Sequence, residues 1–236
     1  MESKLQDLLE RTLKTTTPLA EAGPVGDTKF LNVLLGIYRV SLTTLRDIYY
    51  LALNEETGGS ALALARKIIE YAITLEYMIW RGKEKMADRF QKHMCTEIHH
   101  ELEFLKLIGQ SLEGQGEELK IYIEEAEWEY AALSSDVKSR KSWAGCSIEK
   151  MIEIMYTAGQ LQDFDFPRIG QAYVWGSRLN HVSPFVVHAY MRSEDAKGAS
   201  DFYLRQAIMF GILFHLRISA RYIEEVNAFK GSDPTP

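Results

Sequence analysis

The sequence predicts an all-α fold, a single-domain antiparallel helical bundle of long helices with short connectors. Three observations predict it. Apolar residues recur every three or four positions through each long segment. No two segments read as paired strands. The breaks between periodic segments are brief and rich in Gly, Pro, Ser and acidic residues. A chain more than about 60% helical follows, with no sheet of three or more strands.

Taken in order, a short amphipathic helix is expected from Glu2 to Lys14, followed by the loop TTTPLAEAGPVGD. Asp27 is a candidate cap for a helix running to about Leu53, and NEETGGS breaks it. A second long helix spans about Ser60 to Trp80, and Gly82 marks a turn. A third runs from about Glu84 to Leu112 on a stripe that includes Met86, Phe90, Met94, Ile98, Leu102, Leu105 and Ile108. An acidic helix from Glu117 to Leu133 leads through a polar connector to a short helix that Ser147 caps. Pro167 opens a further helix, ended by Pro184, because proline suits a first turn and restricts the residue before it. A last long helix covers about Ser200 to Phe229. The domain reading is one helical domain over 1–230, with a peripheral N-terminal helix and loop over 1–26 and a disordered tail over 231–236.

Composition narrows the function. The 236 residues suffice for a real core, and 46% hydrophobic content argues against disorder. A net charge of −6 works against general polyanion binding. Cys95 and Cys146 form no metal-type pair, and two free thiols suit a reducing compartment. The N-terminus lacks the apolar core of a signal peptide, and no stretch reaches the roughly 18 apolar residues of a membrane span. The expected location is the cytoplasm. No phosphate-cradling glycine loop, nucleophile elbow or H-E-x-x-H is present.

The most informative segment is YVWGSRLNHVSP. Tyr173, Ser177 and His181 fall four residues apart, and each step turns only roughly 40° around a helix, so they share one face. Ala172, Trp175, Leu179 and Val182 fall roughly opposite. A phenol, a hydroxyl and an imidazole without a charge among them suggest a partly buried polar stripe, which needs hydrogen-bond partners. Either the stripe satisfies itself against a neighbouring helix, or His181 lines a pocket and switches charge near neutral pH. Arg66 and Glu70, spaced i, i+4, project with Lys67, Thr74 and Tyr77 away from Leu64, Ile68 and Leu75. That projection reads as a solvent-side ion pair worth about 0.3–0.5 kcal/mol.

Taken together, R-x-x-x-E, W-x-G-x-S-I-E-x-M and Y-x-x-x-S-x-x-x-H resemble an uncharacterised prokaryotic all-helical family, domain of unknown function five-six-seven-seven. The matching residues are Arg66 and Glu70; Trp143, Gly145, Ser147, Ile148, Glu149 and Met151; and Tyr173, Ser177 and His181, within a span from Phe30 to Met191. The resemblance implies a helical fold and the convergence of Arg66, Glu70, Ser177 and His181. It implies no reaction. With the need of the polar stripe for partners, it places the Arg66–Glu70 helix beside the helix of Tyr173, Ser177 and His181.

His93, Glu97 and His100 fall at i, i+4 and i+7, and Glu97 with His100 makes an E-x-x-H. A second such motif is missing, so these are weak metal candidates on a solvated boundary face, and no cofactor is expected. His188 and His215 read as structural.

Three functions remain. The first is a non-enzymatic binding or regulatory module with a polar pocket between two helices, taking a protein or small-molecule partner. The second is a metal-independent ribonuclease of a toxin or phage-defence system, with His181 as general acid or base and Arg66 stabilising charge on phosphate. Nucleases of that kind carry R-x(4–6)-H, and this chain offers only the shorter Arg178-x-x-His181 and Arg89-x-x-x-His93. The third is a carboxylate and histidine metal enzyme. The sequence admits a homo-oligomer, and it admits RNA as a partner only against the net charge.

Overall fold

The computed structural model describes residues 2–21, 26, 28–54, 57–109, 117–139, 142–161, 166–180 and 196–232. Of these, 89% are helical and none is in a strand. The helices are α1 (Glu2–Glu21), α2 (Lys29–Ala52), α3 (Gly58–Arg81), α4 (Lys83–Leu107), α5 (Glu117–Ala132), α6 (Ser135–Lys138), α7 (Ile148–Thr157), α8 (Phe166–Asn180) and α9 (Ala196–Ser232).

The fold is organised around α3, which packs against α2, α4, α7, α8 and α9. An ordinary amphipathic helix has one wet face, but α3 has apolar or closely packed residues on several sides. Ile68, Ile69, Ala72 and Ile73 are buried, and so are Thr74, Glu76 and Tyr77. The projection that assigned Thr74 and Tyr77 to the solvent side is therefore corrected: a central helix has no solvent side there. Glu76, 7% exposed, is neutralised by Arg217 and Arg221 of α9, whose Nε atoms lie 2.7 and 3.0 Å from Oε1. A buried carboxylate persists only with such partners.

Several helix ends differ from expectation. α1 runs through the expected loop to Glu21 and contains Pro18. The hydroxyls of Thr15, Thr16 and Thr17 bond back to carbonyls four residues earlier, and Tyr38 donates to the Thr16 carbonyl, so tertiary contacts hold a turn that local propensity disfavours. This helix belongs to the core rather than the periphery, since Leu9 is fully buried. Asp27 lies outside the described residues, and Thr28 is the N-cap of α2, its side chain accepting from Leu31 N. Gly82, with φ 106°, separates α3 from α4, and Ser147 caps α7 by accepting from Lys150 N. α9 extends to Ser232, two residues into the expected tail.

α4 is the largest departure. It ends at Leu107, with Gly109 following at φ 70°. The single hydrophobic core takes Met86 and Ala87 from α4, with Phe90 against it, and no residue beyond. Past that point α4 packs chiefly with α5, which has no other substantial helix contact among the described residues, and α4 also meets the short α6. The expected stripe consequently ends in the open: Leu107 is 82% exposed and Ile108 half exposed. Periodicity identified the helix but not what lay beside it.

No described helix is long and apolar enough to cross a membrane.

Candidate functional site

α3 and α8 meet along a backbone-close seam. A Cβ on Gly176 would stand 2.7 Å from Arg66 Cβ and 3.0 Å from the Leu62 carbonyl oxygen, so only glycine admits this approach. The approach carries Tyr173, one turn earlier and 5% exposed, onto the Arg66–Glu70 pair. Arg66 Nη2 lies 2.6 Å from Glu70 Oε1 and donates to the Tyr173 hydroxyl at 3.2 Å. That hydroxyl donates to Glu70 Oε1 at 3.2 Å. The guanidinium also lies over the Tyr173 ring, 4.8 Å from its centroid. The Arg66 and Glu70 side chains are 13% and 25% exposed, too enclosed for the solvent-side pair that projection suggested.

Burial pushes the Tyr173 phenol up to about 12, with Arg66 pulling it down and Glu70 and Glu149 adding to the rise. It stays protonated at neutral pH and serves as a donor. Glu149, the acidic residue of the W-x-G-x-S-I-E segment, lies at the rim. Burial raises its carboxyl, but its own backbone N–H, Ser147, Tyr173 and Arg66 outweigh that and hold it below the usual range. The three sequence motifs therefore meet electrostatically through Arg66, Glu149 and Tyr173. Ser177 follows Gly176 and is half-buried, with no hydrogen bond to Arg66, Glu70 or Tyr173. His181 and His188 lie outside the described residues.

Tyr173→Phe keeps the ring over Arg66 and removes only the bridging hydroxyl. A loss of about 1 kcal/mol in urea denaturation is expected, the usual net worth of such a bond. Unchanged stability would mean that the hydroxyl does not join the two helices.

A cavity of about 390 Å³ adjoins this seam between α3, α8 and α9, walled by Leu62, Trp175, Phe202, Tyr203 and Phe210, with Gln206 as its amide. The polar stripe points to a pocket along its own face, and this cavity lies elsewhere. Its lining comes from three separated segments, and each aromatic alone reads as core.

The metal candidates separate. His93 is buried and 3.6 Å from the exposed Glu97, while His100 is exposed. The expectation that both histidines reach water is thus corrected for His93. His99 instead bonds Glu127 of α5 at 2.8 Å and stacks on Tyr130, with centroids 3.8 Å apart. No three His, Cys, Asp or Glu side chains gather as a metal site among the described residues. Burial pushes the Cys95 thiol up to about 11, and Glu129 adds to the shift, so this sulfur is no activated nucleophile. His215 is fully buried between the Ser41 and Thr16 hydroxyls, each 3.0 Å from a ring nitrogen.

The fold and the seam define an all-α protein in which a central helix is joined to its neighbour by an arginine, glutamate and tyrosine network. The chain belongs to a family of unknown function (DUF5677), whose model matches residues 31–199. That span runs from the start of α2 into the first turn of α9 and includes the whole seam. No curated protein and no solved structure matches the chain.

Proposed function

We propose that the protein is a non-enzymatic binding module with a regulatory role, taking a small aromatic ligand into the cavity between α3, α8 and α9. The observation that carries this reading is the cavity itself. Its volume of about 390 Å³ suits a small molecule, and aromatic walls with one amide are the usual composition of such sites. The polar network beside it acts as a fixed wall. Arg66 is paired at 2.6 Å, and the Gly176 approach leaves no room between the helices. The ribonuclease reading needs Arg66 to meet a phosphate, and it would first have to leave Glu70.

The test is titration with the aromatic probe 8-anilinonaphthalene-1-sulfonate, following probe emission and Trp175 quenching. Met209 lines the cavity at its half-exposed edge, so Met209→Trp fills the space without entering the core. Saturable binding by the native chain, weakened about tenfold or more in Met209→Trp at unchanged melting temperature, is expected; tenfold corresponds to about 1.4 kcal/mol. Equal binding by the two proteins would overturn the reading.

A further inference from the structure

At the other end of α3, some 15 residues and about 22 Å of helix from Leu62, a second cavity of about 310 Å³ is lined by Tyr77, Trp80, Arg81, Lys85, Met86, Arg89 and Ala144. Three cations meet there. Several of the enclosed cations elsewhere are answered by carboxylates: Arg66 by Glu70, Arg217 and Arg221 by Glu76, and Lys83 by Glu225. Among the described residues, no carboxylate lies within ion-pair distance of Arg81, Lys85 or Arg89. The two acids among these residues on the helix turn elsewhere: Glu84 accepts from Phe30 N, and Asp88 is held by Lys29 and Lys92. Three unanswered positive charges in one concavity of a chain with net charge −6 are a local reversal of sign.

The cavity is also built to hold those cations in place. Arg81 lies over Trp80, its Cζ 5.3 Å from the ring centroid, and 6.0 Å from that of Tyr77. A guanidinium set against an aromatic face is held there by attraction to the ring and keeps its charge. Trp143 packs edge-on to Tyr77 and Phe90, with centroids 6.0 and 5.4 Å away. Gly145, at φ 75°, brings the turn against Arg89, where a Cβ would stand 3.0 Å from Nη2. The Arg89 Nε is buried and has no hydrogen-bond partner. A buried charged donor without an acceptor carries a desolvation cost that a bound anion would remove. The Trp143 and Gly145 of the W-x-G motif thus shape this second cavity, while Glu149 of the same segment turns to the seam.

We propose that this cavity is a binding site for the phosphoryl group of a small phosphorylated molecule, held by Arg81, Lys85 and Arg89. Forked guanidinium groups match the geometry of phosphate oxygens, and a lysine adds a compact charge. A small ligand is favoured over RNA because the basic surface is limited to one concavity, whereas nucleic acid needs an extended basic stripe.

The experiment is calorimetric titration of the full chain with inorganic pyrophosphate, alongside sulfate at matched ionic strength. Trp80 in the wall gives an independent fluorescence signal. Saturable pyrophosphate binding, at least about tenfold tighter than sulfate, is expected. Lys85→Gln changes an exposed side chain and leaves the fold untouched, and it should weaken binding about tenfold; Arg89→Gln should do the same with helicity checked by circular dichroism. Lys92→Gln, on the same helix but paired with Asp88, should change nothing. Indistinguishable binding of sulfate and pyrophosphate, or native affinity in Lys85→Gln, would overturn the proposal. So would a single-stranded RNA that displaces pyrophosphate and binds more tightly than it does.

Discussion

Gly58→Ala is expected to destabilise the protein by about 3 kcal/mol or more, the upper end of what overpacking costs. Gly58 opens α3, and its N–H donates to Ser200 Oγ at 2.9 Å. A Cβ there would stand 1.8 Å from the Ser200 carbonyl oxygen, 2.7 Å from its carbonyl carbon and 2.9 Å from Leu204 N. All three are backbone atoms of α9, so no rotamer change relieves the clash. The two helices must separate along the most extensive interface of the fold, where Ala61 and Leu62 are almost wholly buried. Gly36→Ala is the control. Gly36 is exposed in the middle of α2 with open space beside it, so alanine should stabilise by about 0.5–1 kcal/mol through helix propensity. Urea denaturation of both variants checks the pair. A Gly58→Ala protein within about 1 kcal/mol of the native chain would contradict the close approach of α3 and α9.

The second large effect is a pH dependence centred on His215. Burial pushes its imidazole down to about 4 from an ordinary value near 6.5. Above about pH 6.5 the ring is neutral both folded and unfolded, and its contribution is fully present. As pH falls below that value, the unfolded chain takes up a proton that the folded core refuses, and stability drops. The loss levels off near pH 4, where the folded ring also protonates. Over that window it amounts to about 3 kcal/mol, from roughly 1.4 kcal/mol per pH unit. Among the described residues no carboxylate bonds the ring; its partners are Ser41, Thr16 and the stacked Tyr38, 5.5 Å away between centroids. His215→Gln should remove this part of the slope. Comparing unfolding free energies of both proteins at pH 7 and pH 4.5 isolates it from the carboxylates, and identical slopes would show that His215 does not titrate in this way.

The helical class was legible because the 3.6-residue period survives in every long segment, and Gly82 and Ser147 marked their boundaries through turn and cap chemistry. The extent of α1 was not legible. Its TTTP sequence disfavours helix locally, and the Tyr38 and His215 contacts that hold it come from 22 and 199 residues away in sequence. The Arg66–Glu70 pair shows the same limit from the other side. Spacing located it, but a wheel projection assumes one wet face, and α3 is packed on several. The resemblance to a family implied that Arg66 and Glu70 converge with Ser177 and His181; the stripe residue that bonds the pair is Tyr173, while His181 lies outside the described residues. The cationic cavity left its trace as Arg81, Lys85 and Arg89, four residues apart. That trace crosses the Gly82 break, and the significance of the three lies in the carboxylates they lack, which spacing does not report.

The division of α4 has a consequence for how the molecule comes apart. Its first turns are anchored in the core through Met86 and Ala87, but its outer half adds no residue to that core and packs chiefly on α5. Cooperativity follows shared burial, so the two parts of one continuous helix belong to different unfolding units. The α5 hairpin partner can detach and re-form while α2, α3 and α9 stay closed, because little apolar surface is common to both. The chain thus carries a tightly interlocked body and a loosely coupled limb, with the boundary falling inside a helix, near Phe90, rather than in any loop.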